Sequence, residues 1–461
     1  MCSFNSSRRI SRLRSFCILC AINVIFLTAL YSGYCAYRSL KLYNHIKKPV
    51  RGLSGRVYRA DPMLGFAPVP GSRGAHLLPP KPDIPIQYDN DGFRVPQGSP
   101  TPEGRTRLRP LVLALGCSYT YGDACNAEDT FVWRVGRLVH GSSINAGGCG
   151  YALTHMLLLA RTLIPRYKPD YVLIQYSPWL VPRGQSYFAP SYYGKVTNPF
   201  FAETPTGIGV HRPVFMPIVF DLPFDRYKKS PETFSDFASF LVRVGLPLHA
   251  YEDFNMLVFF VKRRAGHIPL PARDSSAIMK AAYNELVNIA RDAGARPFII
   301  ALSDGIKPLT IPEEIHTLGI PVVNAYAELM GRLPEPTTEY YARAYVHWND
   351  SNPPEVIDAH PNPLAHEIIA EAIIAAMQDQ AGKRRIQPGP PPLSRNENGY
   401  GHSEYLDTSS PPPAVIPAPL PIVTGGLCFS NRPDNSSLIA QKAAPPASYP
   451  YDINFQRGSD E

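Results

Sequence analysis

The sequence predicts an α/β protein with a three-layered core and one membrane-crossing helix at its N-terminus. Two observations predict the core: short apolar runs without alternating polarity, and amphipathic runs between them. Parallel strands buried on both faces have continuous apolar runs, and the helices between them cover both faces of the sheet. The third observation is the uncharged stretch 16–37, which is long enough to span a bilayer.

Composition limits the classes of function to consider. The chain has 461 residues, 50 prolines and a net charge of +8. The prolines cluster toward both ends, which leaves one core at residues 108–380. The basic residues gather beside the apolar N-terminal stretch and around Lys383–Arg385, with no nucleic-acid-binding module among them. We therefore expect membrane flanks and solvated surface, and no nucleic-acid partner.

The N-terminal stretch favours a single-pass anchor. Residues 16–37 read FCILCAINVIFLTALYSGYCAY, and the basic tail 1–15 precedes them. No small-x-small cleavage site follows, so an uncleaved anchor is expected. Basic residues from Arg38 onward weaken the charge rule for orientation. We expect a short cytoplasmic tail, with the catalytic domain outside the cytoplasm, in the periplasm.

The rest of the chain divides into four parts. Residues 38–107 are expected to be a loop-rich juxtamembrane segment with a hairpin at Ile86–Val95, and residues 108–380 to be the core domain. That domain carries an insertion, 181–270, and the Pro-rich tail 381–461 is expected to be disordered. The expected core strands are Leu111–Leu115, Ser143–Asn145, Tyr171–Tyr176, Arg296–Leu302 and Ile320–Val323. The expected helices are Thr130–Val139, Leu153–Leu163, Ser275–Ala293 and Leu364–Met377.

Ligands of open α/β sheets bind at the carboxyl ends of the strands, and three polar segments are expected there or nearby. Ser118 follows the first strand by two residues, between Gly116 and Gly122. The loop Asn145–Gly150 follows the second strand and holds three glycines. His360 lies in DAHPNP, where Asn362 is the expected N-cap and Pro363 the first residue of a helix. That helix has an apolar stripe at positions 364, 368, 372 and 376, which is expected to dock it on the sheet.

These segments match the parts of a serine nucleophile site. A serine hydroxyl needs an imidazole base, and the imidazole needs an acid that fixes its tautomer. Each segment alone also has an ordinary structural interpretation. The serine is then a turn former, the glycines form a strand-to-helix turn, and Asp-x-His is end-capping. Three such segments in this order favour chemistry.

The motifs resemble those of the SGNH/GDSL hydrolases, a flavodoxin-like superfamily of esterases, lipases, thioesterases and carbohydrate O-deacetylases or O-acyltransferases. LALGCSYTYG resembles the first block, INAGGCG the second and DAHPNPLAHEIIAEAI the last. The resemblance implies that Ser118 is the nucleophile and His360 the base, with Asp358 as the orienting acid. It implies an oxyanion hole formed by the backbone N–H groups of Ser118 and Gly150, with Gly147 as the less favoured glycine.

The chain departs from the family pattern in three ways. Cys117 replaces the usual aspartate before the nucleophile. Asp358 lies two residues before His360 rather than three, which leaves Asp350 and Asp304 as alternative acids. IQYSPWL lacks the asparagine that the third block normally supplies, so Gln175, Ser177 or a backbone N–H has to replace it.

Other residues leave alternatives open. The insertion is rich in aromatic residues, which either stack on sugar rings, line an acyl pocket or form a structural cap. Cys125 and Cys149 are a possible disulfide pair in an extracytoplasmic domain. His366 and Glu367 are expected at the surface or behind the site rather than as metal ligands. We expect neither a metal nor a cofactor. The aromatic residues of the insertion are Tyr187, Phe188, Tyr192, Tyr193, Phe200, Phe201, Phe215 and Phe220.

The function expected from the resemblance is hydrolysis of short-chain acyl esters, with O-acetyl groups on an envelope polysaccharide as the suggested substrate. Two alternatives are carried with it. One is a carbohydrate O-acyltransferase, which uses the same acyl-enzyme chemistry. The other is a catalytically silent glycan-binding protein, for which the missing third-block asparagine is the motive. A cytoplasmic thioesterase or lipase is a weaker alternative.

Overall fold

The structure is a computed structural model that describes residues 4–48, 52–99, 107–191, 194–228, 230–305, 308–351 and 354–386. The predicted tail lies outside these residues from position 387 onward. Its first part, 381–386, belongs to the last helix.

The described chain forms strands and helices throughout, which are numbered here in chain order. The strands are β1 Gly52–Ser54, β2 Tyr58–Asp61, β3 Gly65–Pro68, β4 Arg73–Leu77, β5 Ile84–Tyr88, β6 Arg94–Val95, β7 Leu111–Leu115, β8 Ser142–Asn145, β9 Tyr171–Tyr176, β10 Phe188–Ser191, β11 Gly194–Thr197, β12 Phe200–Thr204, β13 Gly207–His211, β14 Arg296–Ala301, β15 Val322–Asn324, β16 His347–Trp348 and β17 Val356–Asp358. The helices are α1 Phe4–Lys47, α2 Ser118–Tyr121, α3 Phe131–Leu138, α4 Leu153–Tyr167, α5 Leu180–Gly184, α6 Phe224–Lys228, α7 Phe234–Phe240, α8 Leu246–Arg264, α9 Ser275–Asp292, α10 Glu313–His316, α11 Ala325–Gly331, α12 Thr338–Tyr345 and α13 Pro363–Ile386.

The core is a five-stranded sheet in the order β8-β7-β9-β14-β15, and all of its pairs are parallel. In chain order this is 2-1-3-4-5, the doubly wound order of flavodoxin-like folds. All five residues of β7 are buried, as are five of the six in β9 and in β14. The expected parallel sheet is present, and each of its strands lies within two residues of its predicted position.

Helices cover both faces of this sheet. The helices α4 and α9 pack together, and α10 contacts α9, whereas α13 packs against α3 and α11. Different helices cover the two faces because each crossover between parallel strands is right-handed and the chain changes direction across the sheet. It runs first from β7 to β8 at one edge, and then returns to add β9, β14 and β15 toward the other edge. Reversal of the winding direction leaves a crevice between β7 and β9 at their carboxyl ends.

The helix after the DAHPNP segment begins as predicted, but its buried stripe matches the prediction only in part. The Asn362 side chain accepts a hydrogen bond from Ala365 N at 3.0 Å, and Pro363 is the first helical residue. Of the predicted docking stripe, Leu364 is wrong because it is 51% exposed, whereas Ile368 is buried and Ala372 and Ala376 are partly buried against the core. The buried stripe is completed by Ala365, Ile369, Ile373 and Met377. The first turn fixes this rotation, because Asn362 also donates to Ala344 O and Val346 O.

The segment between the anchor and the sheet is more regular than expected. Helix α1 continues to Lys47, and residues 52–99 hold six short strands. Four of them form an antiparallel sheet in the order β1-β4-β5-β6, and β2 pairs with β3. The predicted turn at Asn90–Gly92 joins β5 to β6, and Gly92 has a φ of +85°. This small sheet carries side chains that reach the candidate site.

Among the described residues, one helix is long and apolar enough to cross a membrane. It is α1, whose apolar window has a mean hydropathy of 2.0 and no buried residue. Its length and composition fit an anchor and a signal sequence alike. The anchor, its orientation and the periplasmic location therefore belong to the proposals below.

The insertion is a structural cap built on buried aromatic side chains. Tyr187, Phe200, Phe201 and Phe220 are at most 9% exposed. The ring of Tyr187 packs edge-on against Phe200 at 4.8 Å and Phe259 at 5.0 Å, between ring centroids. These four side chains are therefore used for packing. Tyr192 and Tyr193 lie outside the described residues.

Candidate active site

Strand β7 delivers Ser118 to the crevice. The strand ends at Leu115, and a sharp turn through Gly116 and Cys117 leads into the short helix α2, which begins at Ser118. A Cβ at position 116 would overlap Thr120 Oγ1 and Gln175 Oε1, so only glycine fits there. Gly122 ends α2 with a φ of +78°, a left-handed conformation that glycine adopts readily. The two predicted turn glycines thus set the position of Ser118.

The structure brings Ser118, His360 and Asp358 into one hydrogen-bonded chain. Ser118 Oγ lies 2.8 Å from His360 Nε2, and His360 Nδ1 lies 2.6 Å from Asp358 Oδ1. Asp358 Oδ1 also accepts the His360 backbone N–H at 2.8 Å. This second bond explains why an acid two residues before the histidine can reach the ring. The three residues are at most 6% exposed, so little water competes for these bonds.

The alternative acids are placed elsewhere. Asp350 is paired with Lys81 at 2.5 Å, and its side chain is 83% exposed. Asp304 lies beyond β14, where it accepts a 3.5 Å hydrogen bond from Ser303 Oγ. Asp358 is therefore the acid placed on Nδ1 of His360.

Gln175 on β9 supports the turn that carries Ser118. Its Oε1 accepts the Cys117 N–H at 2.9 Å and the Thr120 hydroxyl at 2.8 Å. Its Nε2 donates to Cys117 Sγ at 3.1 Å and to Ser177 Oγ at 2.8 Å. Ser177 in turn donates to Leu302 O at 2.8 Å. Both side chains that were considered as oxyanion donors are therefore committed to supporting the site.

The glycine loop after β8 lies against the turn that carries Ser118. Asn145 Nδ2 donates to Thr120 O at 2.9 Å, and Gly148 N–H donates to Gly116 O at 3.3 Å. Gly150 has a φ of +75°, and a Cβ there would overlap the Pro190 carbonyl oxygen. Within the described part of the chain, neither Ser118 N–H nor Gly150 N–H donates a hydrogen bond to a protein group. Gly147 N–H is already bonded to Asn145 Oδ1 at 3.0 Å. Gly150 is therefore the better candidate for an oxyanion donor.

An indole occupies the region after β9 where the asparagine was expected. Trp179 Nε1 lies 3.4 Å from Cys117 Sγ, and its ring centroid lies 5.0 Å from that of Tyr119. The Tyr119 ring is in turn 5.1 Å from the His360 ring. An indole N–H can only donate, and this one donates to Cys117 Sγ, so Trp179 supports the turn that carries the nucleophile together with Gln175. Sequence reasoning missed it because tryptophan has no place in the expected motif.

Two further buried groups reach the site from the juxtamembrane segment. Arg94 donates to Tyr121 O at 3.1 Å, Gly122 O at 2.7 Å and Cys125 O. Its guanidinium stacks on the Tyr121 ring, 4.5 Å from the centroid. Arg94 thus ties the segment beyond α2 to β6.

The second group is His76, which contacts Asp123 beside the base. His76 Nε2 lies 3.0 Å from Asp123 Oδ1, and Asp123 Oδ2 lies 3.9 Å from His360 Nε2. Both His76 and Asp123 are at most 1% exposed. Asp123 thus places a second carboxylate close to the base. The sequence carries no signal for this contact, because His76 lies in β4 and Asp123 follows α2.

The remaining candidates have structural roles. His366 is fully buried, which excludes the surface and leaves the alternative of a place behind the site; its Nδ1 accepts the Phe131 N–H at 3.2 Å. Burial lowers the pKa of His366 to about 3. Glu367 pairs with Arg134 at 3.3 Å. Cys125 forms no disulfide with Cys149, and its thiol donates to Pro361 O at 3.3 Å. Among the described residues no group of three or more His, Cys, Asp or Glu side chains is arranged to hold a metal ion.

Replacement of Gln175 by leucine is expected to lower both stability and turnover. The Cys117 N–H and the Thr120 hydroxyl would lose their acceptor, at a cost of about 1–3 kcal/mol in free energy of unfolding for each unsatisfied group. A displaced nucleophile lowers kcat by roughly 10²-fold with little change in KM. Denaturant unfolding and ester hydrolysis at a temperature where the variant stays folded measure the two effects. The matched control is Gln185→Leu in the insertion, since the Gln185 side chain also makes several hydrogen bonds: it donates to Ala272 O and Arg273 O and accepts from Ser275 Oγ. Equal kcat in the two variants would contradict a positioning role for Gln175.

Similarity to known proteins is found among solved structures. No family model matches the chain, and no curated protein matches it. TesA is one of 27 matching chains of solved structures. It matches at 10% identity and a TM-score of 0.29, over 58% of this chain and 98% of its own. A GDSL-like lipase from Bacteroides thetaiotaomicron matches at 11% identity and a TM-score of 0.26, over 59% of this chain and 89% of that one. The acetylxylan esterase Axe2 from Geobacillus stearothermophilus, in the form of a catalytic mutant, matches at 12% identity and a TM-score of 0.28, over 59% of this chain and 94% of that one.

The chain therefore resembles esterases of the GDSL/SGNH type. At these identities and TM-scores the likeness carries no argument about activity. The class of protein, an α/β sheet protein with a serine–histidine–aspartate site, rests on the strand order and on the contacts of Ser118, His360 and Asp358.

Proposed function

We propose that this chain is a membrane-anchored serine ester hydrolase that acts on short-chain acyl esters. One observation carries the proposal, namely the buried chain from Ser118 Oγ to His360 Nε2 at 2.8 Å and from His360 Nδ1 to Asp358 Oδ1 at 2.6 Å. Its position at the carboxyl end of β7, in the crevice at the reversal of the sheet, agrees with where ligands bind in such folds.

The mechanism follows from these contacts. Asp358 holds the Nδ1 proton of His360, so Nε2 is free to accept the proton of the Ser118 hydroxyl. Ser118 Oγ attacks the ester carbonyl, and the Ser118 and Gly150 N–H groups stabilise the oxyanion. His360 then gives its proton to the leaving alkoxide, which departs as an alcohol. It next takes a proton from water, whose oxygen attacks the acyl-enzyme. Return of this proton to Ser118 Oγ breaks the acyl–serine bond, releases the carboxylic acid and restores the free enzyme. Attack by an acceptor hydroxyl in place of water gives transfer.

The surroundings of the site support a small acyl group. Ser118 is 4% exposed, and Tyr119 and Trp179 lie close beside the site. Trp179 is only partly buried and is flanked by Arg183, whose guanidinium lies 5.9 Å from its ring centroid. A partly exposed aromatic ring next to the nucleophile is a surface on which a sugar ring can stack. We propose an O-acetyl group on an envelope carbohydrate as the substrate, with α1 as the anchor and the domain on the periplasmic side.

A fluorophosphonate probe tests the proposal directly. It phosphonylates a serine only where a base activates the hydroxyl, so we expect one adduct on the peptide that carries Ser118. His360→Ala should slow labelling strongly, and Ser118→Ala should prevent it. A glycan-binding protein without catalysis would not react. In that case the serine–histidine chain would be structural, and the proposal would fail.

A further inference from the structure

We propose that helix α8 of the insertion is a second membrane contact, which lies in the interface of the same leaflet from which α1 emerges and binds its anionic head groups. This rests on the proposed role of α1 as the membrane span. It goes beyond the esterase function, because it assigns a partner to a surface away from Ser118.

Helix α8 has one face buried in the protein and one exposed apolar face. Leu248, His249, Glu252 and Phe259 are buried, and Phe259 packs on Tyr187 and Phe188. The exposed face carries large apolar side chains at the spacing of one helical stripe: Phe254 63%, Leu257 62%, Phe260 54% and Val261 61% exposed. Leu270, which follows the helix, is 59% exposed. Contiguous exposed apolar side chains of this kind are typical of interaction surfaces.

Polar contacts with α1 place this face at the level of the bilayer boundary. Arg38 is the first charged residue after the uncharged stretch 16–37, and it therefore marks that boundary. It binds Glu252 and Asp253 at 2.8 Å each, and Tyr31 donates to Asp253 at 3.0 Å. The apolar face begins at the next residue, Phe254.

The direction of the chain takes α8 toward the bilayer. Farther from the span, Lys47 and Tyr43 of α1 both contact Asp236 in α7, at 3.2 and 2.7 Å. From Asp236 to Asp253 the chain therefore runs along α1 from the domain side to the boundary. Residues 14–34 of α1 are all exposed, so residues 254–264, about 16 Å of helix, leave α1 at the boundary rather than pack along the span. An interfacial helix that buries its apolar face in the outer acyl region fits this geometry.

Charge identifies which lipids suit this surface. Lys262, Arg263 and Arg264 end the helix and are exposed. Arg263 and Arg264 also line an open groove of about 580 Å³ together with Phe260, Ile268 and Leu270. Cationic side chains beside apolar ones attract anionic head groups, since long basic side chains keep their charge in the head-group layer while their stems lie on apolar surface. The occupant is therefore an anionic bilayer.

The experiment uses the full chain reconstituted in vesicles of anionic phospholipid, with and without bromine on the acyl chains. Phe260→Trp adds a fluorophore to the proposed face, and the emission of the unsubstituted protein is subtracted. We expect a blue-shifted emission from position 260 that brominated lipid quenches. The matched control is Leu138→Trp, since Leu138 is an exposed residue of α3, 52% accessible, in the sheet domain. Its emission should stay unquenched.

Two further variants separate the possible failures. Phe26→Trp reports the span itself. Quenching at position 26 without quenching at position 260 would overturn the inference, while α1 would remain a membrane span. No quenching at either position would show that α1 does not span the bilayer, and the inference would fail with it. A blue shift at position 260 that brominated lipid does not quench would indicate a protein partner, such as a second copy, and would also overturn it.

Replacement of Lys262, Arg263 and Arg264 by glutamine should weaken quenching at position 260 in anionic vesicles. Unchanged quenching would overturn the assignment of anionic head groups.

Discussion

Replacement of Ser118 by alanine is expected to reduce hydrolysis of p-nitrophenyl acetate by the full-length protein to the uncatalysed background, a loss on the order of 10³-fold or more. The hydroxyl at 2.8 Å from His360 Nε2 is the atom that forms the acyl-enzyme, and alanine removes it without changing the backbone of α2. Steady-state turnover of the purified protein in detergent measures the effect, with circular dichroism to establish that both proteins fold.

The matched control for this prediction is Ser142→Ala. Ser142 begins β8 at the opposite end of the sheet, and its hydroxyl donates to Leu108 O at 2.6 Å. Its loss should leave turnover within about twofold of the parent, as is usual for surface substitutions away from special features. Equal rates in the Ser118→Ala variant and the parent would show that any esterase activity arises elsewhere, and would favour the glycan-binding alternative.

Replacement of Asp358 by asparagine is expected to lower kcat by roughly 10³–10⁴-fold while the fold is retained. The shape of the side chain is nearly unchanged, but one oxygen, Asp358 Oδ1, now accepts both the His360 backbone N–H at 2.8 Å and the Nδ1 proton at 2.6 Å. An asparagine therefore either places its oxygen there and loses the negative charge, or places its NH2 group there. An amide that donates to Nδ1 holds the imidazole in the tautomer with its proton on Nε2. That tautomer cannot accept the proton of Ser118.

Asp350→Asn and Asp304→Asn are the controls for this second prediction, because both positions were alternatives for the acid. Asp350 is exposed and paired with Lys81, and Asp304 lies beyond β14. Both variants should retain turnover close to that of the parent. A large loss at Asp350 or Asp304 together with near-normal turnover in Asp358→Asn would contradict the assignment. Turnover of p-nitrophenyl acetate over a range of substrate concentrations separates kcat from KM for all three.

Local pattern was enough to predict most of the sheet. Leu111–Leu115 and Tyr171–Tyr176 match β7 and β9 residue for residue, because an apolar run bounded by turn residues carries its own signal. The N-cap at Asn362 was found for the same reason, since capping depends on residues three positions apart. The stripe of α13 was placed correctly only in part, because several rotations of an Ala- and Ile-rich helix bury similar apolar area and contacts at Asn362 select among them.

Supporting groups from other parts of the chain were beyond sequence reasoning. Arg94 clamps the segment after α2, and His76 contacts Asp123 beside His360, although Arg94 and His76 come from a segment that was expected to be loop-rich. Sequence reasoning weighed Gln175 as a possible donor to the oxyanion, and its four hydrogen bonds show that it supports the turn instead. Helix α8 was likewise unpredicted, because an apolar stripe in an insertion does not reveal which neighbour it faces.

The sequence by itself determined the α/β class, the positions of the strands and the three residues Ser118, Asp358 and His360 as candidates. Those features depend on periodicity and on short-range order, which a single chain displays directly. The tertiary structure decided which acid reaches the imidazole, which groups hold the nucleophile and which side of the insertion stays exposed. Ser118 and His360 are separated by 242 positions in the chain yet lie 2.8 Å apart. Such a contact exists only after the strands have assembled in their order, because the sheet alone brings those two loops to the same edge.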